Sequence, residues 1–125
     1  MSEPQGSDAP DRSDCLFCRI VDEALPADIV RTSERTVAFR DLNPTAPTHV
    51  LVVPRQHVAH AGEVGAEHAE LVAELLTTAR QVAEDDGIDA SGYRLVLNVG
   101  DDSGNTVPHL HLHVIGGRRL GWPPG

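Results

Sequence analysis

The chain has 125 residues, enough for one domain with a modest hydrophobic core. Its net charge is −9, from 10 basic and 19 acidic residues, which disfavours a nucleic-acid-binding surface, since neutralising phosphates needs clustered cations. We therefore expect no nucleic-acid polymer as a partner. No apolar run is long enough to span a membrane, and no charged-then-apolar signal sequence opens the chain. We therefore expect a cytoplasmic protein that does not enter a membrane.

The first 14 residues are polar and acidic and carry almost nothing to bury. Such a composition is typical of a disordered segment. We therefore predict a disordered acidic tail over residues 1–14, followed by one folded domain over residues 15–125.

The folded part alternates short apolar runs with turn residues. A short helix is predicted from Phe17 to Val21, before the break at Pro26. Helical spacing of apolar residues over 65–86, followed by Gly87, predicts the main helix. Short β-strands are predicted at 29–31, 36–40, 49–53, 93–99 and 109–115. The order of elements predicts an α+β fold with a meandering antiparallel sheet of about five strands.

Cys15 and Cys18 form a Cys-x-x-Cys pair close to the start of the predicted domain. Without an export signal a structural disulfide is disfavoured. The surrounding residues also lack the strand-to-helix setting of a thioredoxin-like redox pair. Metal binding is the favoured interpretation, provided that two further ligands exist.

Three histidines, His109, His111 and His113, alternate with aliphatic residues near the C-terminus. Successive side chains of an extended strand point to opposite faces, so the three imidazoles are expected to share one face. Imidazole can act as nucleophile, acid, base or metal ligand near neutral pH. The pattern therefore predicts a functional site on this strand.

The run from His109 to Ile115 resembles the signature of the histidine triad (HIT) superfamily. Residues 38–44 and 46–57, together with the ending from Trp122 to Gly125, are similar to the Hint branch of that superfamily. The resemblance covers residues 15–125 and implies a HIT-like fold whose homodimer joins two sheets. It also implies a hydrolase that cleaves adenosine or guanosine 5′-phosphoramidates at the α-phosphorus through a covalent nucleotidyl-histidine intermediate.

The resemblance implies catalytic roles for four residues. His111 would be the nucleophile, and His113 would stabilise charge that develops on the phosphate oxygens. Thr106 stands where the Hint branch usually has a serine, and its hydroxyl would donate to the phosphate or the leaving atom. His49 would position the nucleophile or touch the phosphate, although a purely structural strand histidine is equally compatible with the sequence.

The resemblance also implies residues that bind a purine nucleotide. Asp41 would accept hydrogen bonds from the ribose hydroxyls, and Leu42 would line the base pocket. Gly104 lets the backbone approach a phosphate closely, whereas Asp101 and Asp102 would have to face solvent there. The expected substrate-binding residues are Asp41, Leu42, Asn98, Gly104, Asn105, Thr106, His111, His113 and Trp122.

A structural zinc site is implied by a wider superfamily pattern, similar to that of galactose-1-phosphate uridylyltransferases. That pattern combines a Cys-x-x-Cys pair with a Pro-x-x-His and the first histidine of the triad. Here His57 follows Pro54 at this spacing. The implied zinc ligands are Cys15, Cys18, His57 and His109.

Two other functions stay open on the sequence. One is a dinucleoside polyphosphate hydrolase or nucleotidyl transferase of the same superfamily. The other is a zinc-stabilised nucleotide-binding module without catalytic activity. The ending that begins at Trp122 favours the phosphoramidase, because it resembles the Hint branch.

Overall fold

A computed structural model describes residues 12–105 and 107–125, and the expected α+β architecture is confirmed. Five antiparallel strands, one main helix and a short N-terminal helix make up the fold. The helices and strands are α1 (Leu16–Val21), β1 (Ile29–Thr32), β2 (Thr36–Arg40), β3 (Thr48–Pro54), α2 (Ala69–Asp85), β4 (Tyr93–Leu97) and β5 (Leu112–Gly116). None of the described helices is long and apolar enough to cross a membrane.

The sheet has the order β1-β2-β3-β5-β4, so the prediction of a simple meander is wrong. Helix α2 carries the chain from β3 to the far edge, where β4 forms, and β5 then fills the space between them. β5 therefore pairs with a neighbour on each side. His113 lies opposite Leu51 of β3 and Val96 of β4.

Each face of the sheet is covered by a different helix. Alternate residues of β3 face opposite sides: Val50 and Val52 belong to the core under α2, whereas Leu51 and Val53 belong to the core under α1. Val114 of β5 lies in the α2 core. Its neighbour His113 therefore faces the α1 side.

The predicted tail, residues 1–14, overlaps the described part only at residues 12–14. Arg12–Asp14 form a 3₁₀ turn. The Arg12 guanidinium donates to both carboxylate oxygens of Asp22, at 2.8 and 3.0 Å, and to the carbonyl oxygen of Arg55 at 3.1 Å. Arg12 therefore contacts residues that are distant in the sequence, and the tail over residues 1–14 and the domain over residues 15–125 stay predictions. The rest of the predicted tail lies outside the described residues.

Strand β5 begins at Leu112, three residues later than the predicted strand 109–115. Its pairing with β3 ends at the Val52–Leu112 pair. Before that point the backbone N–H of Leu110 donates to the carbonyl oxygen of Val58 across 2.6 Å, so it leaves the sheet ladder. His109 and His111 thus lie in the segment that leads into the strand.

Candidate active site and metal centre

A hydrogen bond to the backbone of the same segment orients the His111 imidazole. Its Nδ1 lies 2.7 Å from the backbone carbonyl oxygen of His109. A carbonyl oxygen can only accept, so the proton is on Nδ1 and the neutral ring has its lone pair at Nε2. Among the described residues Nε2 has no hydrogen-bond partner. The arrangement therefore presents an unprotonated nitrogen that can act as a nucleophile or a base.

His113 is positioned by a second chain of hydrogen bonds. The backbone N–H of Thr45 donates to Nδ1 of His49 across 3.1 Å, and Nε2 of His49 lies 2.9 Å from Nδ1 of His113. Since Nδ1 of His49 accepts, its neutral ring carries the proton on Nε2 and donates it to His113. His113 then carries its own proton on Nε2. That N–H is a donor suited to the oxygen of an anionic substrate.

The imidazole rings of His49, His111 and His113 lie close together. The centroids of His111 and His113 are 5.1 Å apart, and those of His49 and His113 are 5.2 Å apart. Burial lowers the pKa of His113 to about 4, with smaller contributions from the neighbouring imidazoles. His113 is therefore neutral at neutral pH, as the hydrogen-bond chain requires.

The Asp41 carboxylate lies beside this histidine chain. Its Oδ2 is 3.4 Å from Nε2 of His49, and its Oδ1 accepts the backbone N–H of Asn43 across 2.8 Å. The second contact is the hydrogen bond of an Asx turn. Asp41 is thus held at the edge of the site with acceptor capacity remaining on both oxygens.

The other expected substrate-binding residues differ in how far they are exposed. Leu42 and Trp122 are 93% and 84% exposed, so neither apolar side chain is packed within the protomer. Asn98 is half-buried, two residues beyond Val96, which pairs with His113. Gly104 has a positive φ of 80°, and the side-chain oxygen of Asn105 accepts from Val107 N–H across 3.2 Å.

Two expectations about the loop before the triad can be compared with the structure only in part. Asp101 and Asp102 are exposed, which removes the conflict with a nearby phosphate. Thr106 lies outside the described residues.

Four residues from separate parts of the chain form a cluster on the α1 side of the sheet. Cys15 caps the first turn of α1 and Cys18 follows within that helix. His57 follows β3 and His109 precedes β5. All four ligand atoms lie within 4.8 Å of one another. The residues named from their spacing are therefore together in the fold, and they could hold a metal ion such as zinc.

The distances within this cluster fit a tetrahedral zinc ion. The Sγ atoms of Cys15 and Cys18 lie 3.3 and 3.4 Å from Nδ1 of His109, and Sγ of Cys18 lies 3.3 Å from Nδ1 of His57. A tetrahedron built with ordinary Zn–S and Zn–N bond lengths has S···N edges of about 3.5 Å. The donor set of two thiols and two imidazoles is also the one that structural zinc prefers.

A hydrogen bond at Nε2 of His109 leaves its Nδ1 free to bind a metal ion. Its Nε2 donates to the carbonyl oxygen of Pro54 across 2.9 Å, which places the lone pair on Nδ1, toward both thiols. The side chain is fully buried, and burial lowers its pKa to about 4. The neutral imidazole is the form that binds metal.

Sequence reasoning missed two residues that shape the site. Phe17 packs edge-on against His111 and His109, with centroid distances of 5.1 and 6.0 Å. Thr45 orients His49 through its backbone N–H, and its hydroxyl oxygen lies 3.4 Å from the same His49 nitrogen. Phe17 did carry a signal, because it stands between the two cysteines of the Cys-x-x-Cys pair.

The chain is similar to known proteins over most of its length. The HIT domain family matches residues 22–120. An uncharacterized HIT-like protein of Synechococcus elongatus is 46% identical over 112 residues, which cover 90% of this chain and 97% of the relative. The purine nucleoside phosphoramidase of Escherichia coli is 40% identical over 106 residues, which cover 85% and 89%.

A solved structure gives the same result for the fold. The HIT family hydrolase from Legionella pneumophila superposes with a TM-score of 0.87 at 44% sequence identity, covering 89% of this chain and 99% of that one. The family match spans most of the chain, including all three histidines of the triad. This chain belongs to the HIT family.

Proposed function

We propose that the protein is a nucleoside phosphoramidase that cleaves adenosine or guanosine 5′-phosphoramidates at the α-phosphorus. The observation that carries this proposal is the His111 Nδ1–H, which donates to the His109 carbonyl oxygen across 2.7 Å. This bond leaves the Nε2 lone pair available for attack without prior loss of a proton. The 40% identity to the E. coli phosphoramidase favours the substrate class.

The proposed reaction has two steps. In the first, Nε2 of His111 forms a bond to the α-phosphorus while the P–N bond breaks, and the amine leaves with a proton taken up from water. In the second, water attacks the same phosphorus, the bond to His111 breaks, and the nucleotide and a proton are released. Throughout, the Nε2–H of His113 donates to a non-bridging oxygen and stabilises its charge.

The remaining site residues are proposed to hold the purine nucleotide around this centre. Asp41 has acceptor capacity for the ribose hydroxyls, and the exposed Leu42 side chain offers an apolar surface to the base. The left-handed Gly104 brings the following backbone toward the phosphate. Asn98, Asn105, Thr106 and Trp122 complete the proposed set.

A comparison of two substrates tests the proposal. The protein is incubated separately with adenosine 5′-phosphoramidate and with a dinucleoside polyphosphate, and release of AMP is followed. We expect faster release from the phosphoramidate. Preference for the polyphosphate would favour the polyphosphate hydrolase instead, and binding of AMP without turnover of either substrate would favour a non-catalytic module.

We further propose that the cysteine–histidine cluster binds one structural zinc ion. The buried His109, its hydrogen bond to Pro54 and the 3.3–3.4 Å sulfur–nitrogen distances support this assignment. The four ligands come together only in the folded chain, so zinc would contribute to the free energy of unfolding. Its proposed role is to hold α1 against the segment before β5, apart from the reacting atoms.

We propose a homodimer that forms through the edge strand β4. Leu95 and Leu97 share one face of β4 and are 39% and 46% exposed, and Val99, two residues beyond the strand, is 44% exposed. An apolar row on an edge strand is a surface suited to pairing with a second strand. β4-to-β4 pairing would join the two sheets. Sedimentation equilibrium is expected to give the mass of a dimer, and a monomer at micromolar concentration would contradict this proposal.

A further inference from the structure

We propose that Phe17 is a positioning residue that holds the His111 imidazole in its attacking orientation. The Phe17 side chain is buried, and its ring meets that of His111 at a centroid distance of 5.1 Å and an angle of 76°. It meets His109 at 6.0 Å and 77°. Both contacts have the edge-to-face geometry that aromatic pairs prefer.

The Nδ1–H bond to the His109 carbonyl restrains rotation of the His111 ring about its Cβ–Cγ bond. Coupled changes of χ1 and χ2 can still tilt the ring and move Nε2 away from its line of attack. The edge-to-face contact with the Phe17 ring opposes such a tilt from one side. Catalysis by a bound nucleophile depends steeply on such alignment, because a displacement of about 1 Å can cost about 100-fold in rate.

Phe17 is itself held from two directions. It lies between Cys15 and Cys18 in the first turn of α1, so the cysteine–histidine cluster anchors its backbone on both sides. Behind it, the Phe39 ring packs at a centroid distance of 5.5 Å. Phe17 therefore connects the proposed metal centre to the nucleophile by direct packing, in addition to the backbone connection through His109.

The inference rests on the proposed function, since it concerns formation of the bond between His111 and phosphorus. It makes a separate claim, however. Loss of the Phe17 ring should slow formation of the nucleotidyl-enzyme while the four metal ligands and the nucleotide-binding residues stay in place.

Phe39 provides a matched control. The two phenylalanines of the chain lie in the same core cluster and are 5% and 4% exposed. Phe39 has no ring contact with a histidine among the described residues. Phe17→Leu and Phe39→Leu therefore remove the same ring from the same core, but only the first removes a contact with His111.

The experiment is a single-turnover quench with saturating adenosine 5′-phosphoramidate, in which the adenylyl-enzyme is quantified over time. KM, bound metal and Tm are measured for each variant. For Phe17→Leu we expect formation of the intermediate to slow about tenfold, within the range for a misaligned nucleophile. For Phe39→Leu, which removes a contact with Phe17 but none with His111, we expect a clearly smaller slowing than for Phe17→Leu, at a similar loss in Tm. Both variants should keep the metal content of the wild type.

Equal rates in the two leucine variants would overturn the inference, and so would a loss of metal in Phe17→Leu that matches its loss of activity. Phe17→Tyr, which keeps the ring, should restore the rate. If Phe17→Leu does not fold, Phe17→Met is used in its place and compared with Phe39→Met in the same single-turnover experiment. Absence of an adenylyl-enzyme in the wild type would overturn the proposed function itself, which separates that failure from a failure of the Phe17 assignment.

Discussion

Nε2 of His49 lies 2.9 Å from Nδ1 of His113, and this contact determines which nitrogen of His113 carries the proton. The two side chains come from adjacent strands, since β3 pairs with β5 along its length. The chain of donors starts at the backbone of Thr45 and ends at His113 Nε2–H. We therefore propose that His49 orients His113. The role that the sequence suggested, to position the nucleophile or touch the phosphate, stays a prediction.

Replacing His49 tests this orienting role. His49→Leu removes the donor to His113, and we expect kcat to fall by up to about 100-fold, as for a misplaced active-site group, with a smaller change in KM. His49→Gln keeps an N–H donor and should retain more activity than the leucine variant. Steady-state kinetics on an adenosine phosphoramidate measure both. Equal activities of the two variants would show that the donor is not needed.

The depressed pKa of His113 predicts a pH dependence of stability. Above about pH 6.5 the imidazole is neutral in both the folded and the unfolded chain. Between about pH 6.5 and pH 4 the unfolded chain binds a proton at this imidazole, whereas the folded protein does not. The free energy of unfolding therefore falls as the pH drops through this window.

His113→Asn removes this titrating group. Urea unfolding at pH 7 and pH 5 should therefore show a smaller loss of stability on acidification in the variant than in the wild type. An identical loss in both proteins would mean that His113 is not held neutral by the fold.

The zinc proposal predicts a metal content and a stability change. Protein purified without chelator or added metal should contain about one zinc ion per chain, as one four-ligand site requires. Cys15→Ser combined with Cys18→Ser should lose the metal, and Tm should drop by several degrees, roughly 4–8 °C for each kcal/mol of lost stability. Wild-type protein that contains no zinc after this purification, and that melts at the same temperature as the double variant, would show that the pair is only two buried thiols.

The exposed Trp122 predicts a role for the C-terminus outside its own protomer. Its side chain is 84% exposed, whereas Gly121 just before it accepts a hydrogen bond from Arg94 across 2.8 Å. Deleting residues 122–125 keeps that bond, so we expect unchanged Tm but altered relative rates on phosphoramidates with different leaving amines. Identical relative rates would leave the tail without a role in substrate choice.

The sequence predicted local structure well where a single element decides it. Strand β2 has the predicted bounds, 36–40, because turn residues flank a short β-branched and aromatic run. Strand β5 begins late because Leu110 binds Val58, a contact between residues 52 positions apart. Strand order was wrong for a similar reason: the insertion of β5 between β3 and β4 depends on packing across the whole domain.

In the site, too, the sequence predicted some features, whereas others depend on contacts between distant parts of the chain. The four residues of the cysteine–histidine cluster could be named from spacing and resemblance, and they lie together in the fold. The tautomer of His113 could not be predicted, because it depends on a backbone N–H from another loop. The contact of Phe17 with His111 was also hidden, because it requires α1 to lie over the segment before β5.

Nε2 of His111 is the proposed nucleophile, which would form a covalent bond to the α-phosphorus. Wild-type protein and His111→Ala are mixed with adenosine 5′-phosphoramidate and quenched within the first turnover, and the modified residue is located by peptide mass spectrometry. We expect an adenylyl group on His111 in the wild type, none in the variant, and a loss of turnover of about 10⁴-fold or more, as for other covalent nucleophiles. An adenylyl group on a different residue, or a His111→Ala rate above about a hundredth of the wild type, would contradict the claim.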